Sequence, residues 1–244
     1  MKGLGTIVNV LAVILGSGIG IVIKSGMKQR FQNILMQACG ISTIFIGAGG
    51  ALSGLLAAGS SGQLETQNTM LLIFSMVFGG LIGEFFNIEL KMEQLGETLK
   101  NLLGNKAGKA TDSRFVDGFV TSSLVICVGA MAIVGSIQDG LTGDYTMLFS
   151  KAILDFVIVM VFASTFGIGV TFSAVPLGIY QGGITLFASL IASFFDESLI
   201  DNLSCVGSVL IFCVGLNVAF GKKVKVGNLL PAILIPVIYS LLPV

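Results

Sequence analysis

Between Phe156 and Phe195 the chain carries no charged residue. A helix needs roughly 20 apolar residues to cross about 30 Å of hydrocarbon, so this run has room for two spans joined by a tight turn. Comparable runs fill the chain, at 4–23, 33–58, 69–88, 115–137, 148–172, 177–195, 203–220 and 227–242. They are too long for barrel strands and lack a period-two alternation, which leaves helices as the spanning structure. Composition agrees: 54% of the 244 residues are hydrophobic and 11% charged, with mean hydropathy +0.98, where soluble domains carry about 25% charge. The expected fold is an all-α integral membrane bundle of about eight transmembrane helices in a single polytopic domain, 1–244. The first run follows one Lys, approaches full span length and lacks an A-x-A site, so it reads as a retained helix, not a signal peptide.

The connections between runs alternate in charge. The first carries Lys24, Lys28 and Arg30, the third Lys91, Lys100, Lys106, Lys109 and Arg114, and the seventh Lys222, Lys223 and Lys225. Glu65 is the one charge in the second, Asp139 and Asp144 lie in the fourth, the fifth around Pro176 has none, and the sixth holds Asp196, Glu197 and Asp201. The positive-inside rule puts connections one, three and seven in the cytosol, and eight crossings satisfy all three with both termini outside. In the third connection Met92, Leu95, Leu99 and Leu102 recur at helical spacing, the pattern of a short amphipathic helix at the cytosolic interface.

An internal repeat is readable in the same runs. Gln37–Phe45 resembles Ser204–Phe212 at a displacement of 167 residues, which lays helix 1 over helix 6 and helix 2 over helix 7. Helix 3 and helix 8 match in order. Five helices separate equivalent elements, so the two triplets, helices 1–3 and 6–8, would be inverted repeats around helices 4–5, a common transporter plan. The stretches Gly16-Ser-Gly18-Ile-Gly20 and Gly182-Gly183 occupy corresponding places. They are candidate helix breaks that would meet at mid-depth and offer backbone groups to an ion.

Charges in or at the edge of spans are the candidates for chemistry, because a charge in hydrocarbon costs about 2.5–3.5 kcal/mol on insertion scales. Asp155 is the deepest, with Lys151 four residues earlier on the same helical face. Asp117 and Glu84 lie nearer helix ends, where snorkelling is an equal reading. Asn9, Ser123, Gln181 and Asn217 are polar residues within runs. Each could bond a neighbouring helix, and as a set with Asp155, Lys151, Asp117 and Glu84 they are the candidate path for a substrate or ion. Spacings such as Gly16/Gly20, Gly50/Gly54, Gly79/Gly83 and Gly178/Gly182 mark close helix packing, within the chain or between subunits of a homo-oligomer.

Other classes fare poorly. Net charge is zero, which gives nucleic-acid binding no electrostatic basis. With no His, there is no His-based zinc site or Ser-His triad, and no Walker loop or HExxH occurs. No metal site, cofactor or catalytic residue is expected, and the chain does not read as an enzyme. The four cysteines all lie in apolar runs and read as reduced thiols.

Several stretches carry a family resemblance. Gly5-Thr-Ile-Val-Asn9, Gly16–Gly20, Gly83-Glu-Phe-Phe-Asn87, Phe115-Val-Asp-Gly-Phe-Val-Thr121, Cys127–Gly140, Lys151-Ala-Ile-Leu-Asp155 and Tyr180-Gln-Gly-Gly183 resemble the YdfK/YqgA-type family of bacterial membrane proteins, a domain of unknown function. The likeness covers essentially the whole chain. It implies a multi-pass protein of the bacterial cytoplasmic (inner) membrane and supplies no catalytic residues. The residues themselves point to a lipid-embedded transporter or channel for a small ion or solute. The alternative is a non-transporting scaffold or regulator acting through the cytosolic connection between helices 3 and 4.

Overall fold

The computed structural model describes residues 2–26, 28–58, 63–102, 112–127, 130–191 and 197–240. Lys106, Lys109 and Asp196, and the side chains of Leu99, Lys100 and Leu102, lie outside that description. Helices α1 (Leu4–Gly26), α2 (Gln29–Leu55), α3 (Thr69–Phe86) and α4 (Ile88–Leu102) come first, with a small antiparallel hairpin of β1 (Leu56–Ala58) and β2 (Leu64–Thr66) after α2. Then follow α5 (Asp112–Cys127), α6 (Ala130–Thr142), α7 (Thr146–Phe166), α8 (Ala174–Leu186), α9 (Ala188–Ile191), α10 (Glu197–Phe220), α11 (Val226–Leu229) and α12 (Leu234–Ser240).

The all-α membrane bundle is what the structure shows. Among the described residues five helices are long and apolar enough to cross alone: Leu4–Lys24, Asn33–Leu55, Thr69–Phe86, Thr146–Phe166 and Ser198–Phe220. The other three apolar runs are helical but interrupted. Arg114–Cys127 and Met131–Thr142 are set at 61° to one another. The run after α7 passes through a 3-10 turn, Ile168–Ser173, and the last through another, Leu230–Ile233, opened by Pro231. Large apolar side chains cover the outside, among them Phe45, Phe85, Ile179 and Leu186, each more than 70% exposed. In water that surface would be untenable; against acyl chains it is expected.

Two details differ from the sequence reading. The fifth connection is not at Pro176, which sits in the first turn of α8, where a missing N–H costs nothing. The chain turns instead at Gly167, whose φ of +88° suits glycine. Asp139 is in no loop either: it is fully buried near the end of α6.

The chain groups into two compact units, 1–39 with 91–127 and 131–194, and 40–90 with 195–244 and residues 128–130. In the first, α1 and α7 run side by side and parallel. A Cβ on Gly16 or Gly20 would strike the carbonyl oxygens of Phe156 or Met160, so those glycines are where two backbones touch. In the second, α2 and α10 run antiparallel along a seam of Gly40, Gly47, Gly50 and Gly54 against Ala219, Phe212, Ser208 and Cys205, and α3 meets the α11–α12 segment through Gly79 and Gly83.

The expected breaks at Gly16, Gly18 and Gly20 and at Gly182 and Gly183 do not occur. α1 and α8 run unbroken through them. Close packing on α7 explains Gly16 and Gly20, while Gly18 and Gly182 face open space. Nor do the two stretches meet, since Gly182 lies beside Thr6, at the other end of α1 from Gly20.

Candidate functional site

α1 buries a stripe of Thr6, Asn9, Val13, Gly16 and Ser17, spaced three or four residues apart as one helical face requires. α7 buries Leu148, Lys151, Ala152, Asp155 and Val159, and α8 buries Leu177, Gln181 and Thr185. Where these faces meet, the first unit encloses a polar centre. Asn9 Nδ2 donates to Asp155 Oδ2 at 3.0 Å and to Gln181 Oε1 at 3.2 Å. The Lys151 ammonium is paired with the Asp155 carboxylate and also donates to the Ile126 carbonyl at 2.8 Å. That carbonyl lies in the last turn of α5. Asn9 and Gln181 are fully buried, and Lys151 and Asp155 are 6% and 4% exposed.

The pair is therefore held on three sides, and its net charge is zero. Removing one partner of such a pair costs about 3–5 kcal/mol, because the survivor is left as an uncompensated buried charge. Satisfaction is incomplete, however. Asn9 Oδ1, an acceptor, and Gln181 Nε2, a donor, have no hydrogen-bond partner among the described residues. Each such orphan costs about 1–3 kcal/mol. The Ser122 and Ser123 hydroxyls, buried on α5, are likewise unpartnered.

One turn from Asn9 and one turn from Gln181, the Thr6 and Thr185 hydroxyls face each other at 3.4 Å. Beyond them a cavity of about 410 Å³ opens between the start of α1, the end of α6 and α8, lined in part by Gly3, Gly140, Gly182 and the two threonines. Asp139 forms its frame: Oδ1 accepts from Gly3 N–H and Oδ2 from Gly5 N–H, both at 3.0 Å. The carboxylate thus caps the positive end of α1 and satisfies two of its orphan amides.

The remaining candidates are placed elsewhere. Asp117 is on the exposed side of α5. Glu84 and Asn217 belong to the second unit. Glu84 Oε1 pairs with Lys225 at 2.7 Å, half-exposed, and Oε2 accepts from Asn228 Nδ2 at 2.6 Å. Asn217 ties down the turn after α10, accepting from the Lys223 and Val224 amides at 2.8 and 2.9 Å and donating to the Val224 carbonyl at 2.7 Å. Glu89, which sequence reasoning did not single out, is buried beside them, accepting from Gly227 N–H and paired with Lys222 at 2.7 Å. These contacts fix helix ends and a connection. Of the eight path candidates, then, Asn9, Lys151, Asp155 and Gln181 come together, while Ser123 is buried in the same unit.

Sequence reading overlooked Thr6, Asp139, Thr185 and the Ile126 carbonyl. Thr6 and Thr185 were available as polar residues one turn from Asn9 and Gln181. The carbonyl had no signal, because a backbone oxygen leaves no mark in the side-chain pattern.

The chain matches the family model described as "Protein of unknown function (DUF554)" over residues 4–241. It is 37% identical over 232 residues to the "Uncharacterized membrane protein YdfK" of Bacillus subtilis (strain 168), covering 95% of this chain and 93% of that protein. It is 28% identical over 232 residues to the "Uncharacterized protein YqgA" of Escherichia coli (strain K12), covering 95% and 94%. No solved structure matches.

Proposed function

This chain belongs to the DUF554 family of proteins of unknown function, and from the polar centre of its first unit we propose that it transports a small ion or solute. One observation carries the reading: a buried Asp–Lys pair whose amide neighbours keep an unused acceptor and an unused donor, a turn away from a cavity. A purely structural ion pair gains nothing from unsatisfied neighbours, whereas a site that exchanges partners must keep bonding capacity in reserve.

Eight crossings with both termini outside, in a bacterial inner membrane, complete the reading. Gly3, before α1, bonds Asp139 near the end of α6, and Thr6 meets Thr185 near the end of α8, which supports an even number of crossings between the start of the first run and the ends of the fourth and sixth. Basic residues gather at the other end of the first unit, where Lys24 reaches Gly167, past the end of α7, and within the second unit Lys222 and Lys225 pair with Glu89 and Glu84. Pairing of α2 with α10 and of α3 with the last helical run supports an inverted-repeat plan.

The test is Asp155→Asn in proteoliposomes, followed by counterflow of labelled inorganic ions and small solutes. Normal abundance and unfolding temperature with lost flux supports the proposal. If the variant is merely destabilised, and Lys151→Met with Asp155→Asn restores stability and leaves every flux unchanged, the pair is a brace and the proposal falls.

A further inference from the structure

We propose that the polar centre takes a small zwitterion, with the charge pattern and size of glycine or alanine, admitted through the cavity between α1, α6 and α8. The inference rests on the transport reading and names the class of solute within it.

Charge balance is the first argument. The Lys151–Asp155 pair is neutral and almost wholly buried. A lone cation that displaced Lys151 from the carboxylate would leave the site with one positive charge too many, and a lone anion on Lys151 would leave one negative charge too many. Either excess is penalised in a poorly polarisable interior. A zwitterion opens the pair without changing its net charge. Its ammonium takes the place of Lys151 on Asp155, and its carboxylate takes the place of Asp155 on Lys151. No covalent bond forms or breaks, and no proton need move.

The unpartnered atoms are the second argument, because they come as one acceptor and one donor. Asn9 Oδ1 can accept from the ligand ammonium, while Gln181 Nε2 can donate to its carboxylate. The two amides already bond each other, and Asn9 also bonds the carboxylate. A simple cation would use the acceptor and waste the donor; a simple anion would do the reverse.

Size and access are the third. A cavity of about 410 Å³ holds a small amino acid with its water. Thr6 and Thr185, one turn from the two amides, line it and face each other. Gly182 lines the cavity, and a Cβ there would meet nothing within 4 Å. That glycine packs against no neighbour, unlike Gly140, where a Cβ would strike Ala188 and the Thr185 carbonyl. Its missing side chain is cavity space.

The experiment uses the full-length protein in proteoliposomes, with radiolabelled glycine, methylammonium and acetate as probes. Glycine should enter, unlabelled alanine should compete, and methylammonium and acetate should neither enter nor compete. Asn9→Ala and Gln181→Ala should each lower glycine uptake about ten-fold or more, as expected for losing a hydrogen bond to a charged group. Gly182→Leu should unfold at the wild-type temperature yet take up little glycine. Flux of methylammonium, sodium or potassium that depends on Asp155, without glycine flux, would overturn the zwitterion and leave the transport reading standing. Absence of any Asp155-dependent flux would overturn both. Wild-type uptake by Gly182→Leu would overturn the cavity as the entry.

Discussion

Asp139→Ala isolates the contact that the sequence hid most completely. The carboxylate is fully buried and accepts the Gly3 and Gly5 amides, one per oxygen, at the start of α1. Hydrogen bonds to a charged group are worth about 1.5–3 kcal/mol each, and an anion at a helix N-terminus adds about 0.3–1 kcal/mol. Gly3 borders the cavity, so water can replace one partner, which favours the lower end. The expected loss is about 3 kcal/mol, or about 6–12 °C at some 2–4 °C per kcal/mol for a chain of this size. Asp139→Asn keeps one carbonyl acceptor and should lose about half as much. The chain has no Trp but four cysteines in apolar runs, so a thiol-reactive fluorophore in detergent reports unfolding. Equal shifts for the two variants, or an alanine variant that unfolds at the wild-type temperature, would refute the capping argument.

Three further outcomes follow from the same geometry. Gly20→Leu forces a side chain into the Met160 carbonyl and should cost about 1–3 kcal/mol in the same assay, while Gly18→Ala, which meets nothing within 4 Å, should be neutral or slightly stabilising. Hydrogen bonds from the Thr146 hydroxyl and then its backbone N–H hold the exposed Asp144 carboxyl below its ordinary range, so its contribution is present above the unfolded-state value and fades as pH falls through the lowered one; a wild-type melting curve that loses no more between pH 5 and pH 3 than Asp144→Asn does would remove that role. On intact cells an impermeant thiol reagent should modify Glu65→Cys and spare Lys28→Cys, both exposed positions, and the opposite pattern would invert the proposed orientation.

What sequence could and could not reveal divides along a physical line. Apolar run length responds to the bilayer alone, so all eight runs were legible as helix, down to α4 and its amphipathic pattern. Interruptions respond to partners. Glycine in water would weaken a helix, and Gly16-Ser-Gly-Ile-Gly20 invited that reading; in α1 the same glycines let α7 approach until backbone meets backbone, so they preserve the helix they were expected to break. The described interruptions lie elsewhere, at the 3-10 turns Ile168–Ser173 and Leu230–Ile233.

The candidate site shows the same limit. Asp155 and Lys151 announced themselves by charge, and their four-residue spacing sufficed to pair them. Asn9 and Gln181 were visible only as polar residues among many. What selects them over Asn217, equally polar and equally deep in an apolar run, is the partner each meets. Asn217 spends both ends of its amide on the adjacent turn, within seven residues of chain, and has nothing left to offer a solute. Asn9 and Gln181 bond across 146 and 172 residues of separation and still keep one atom each unused. Local pattern can predict the first kind of contact. The second depends on which helices lie together, and with it goes the distinction between a polar residue that braces the fold and one that is free to bind.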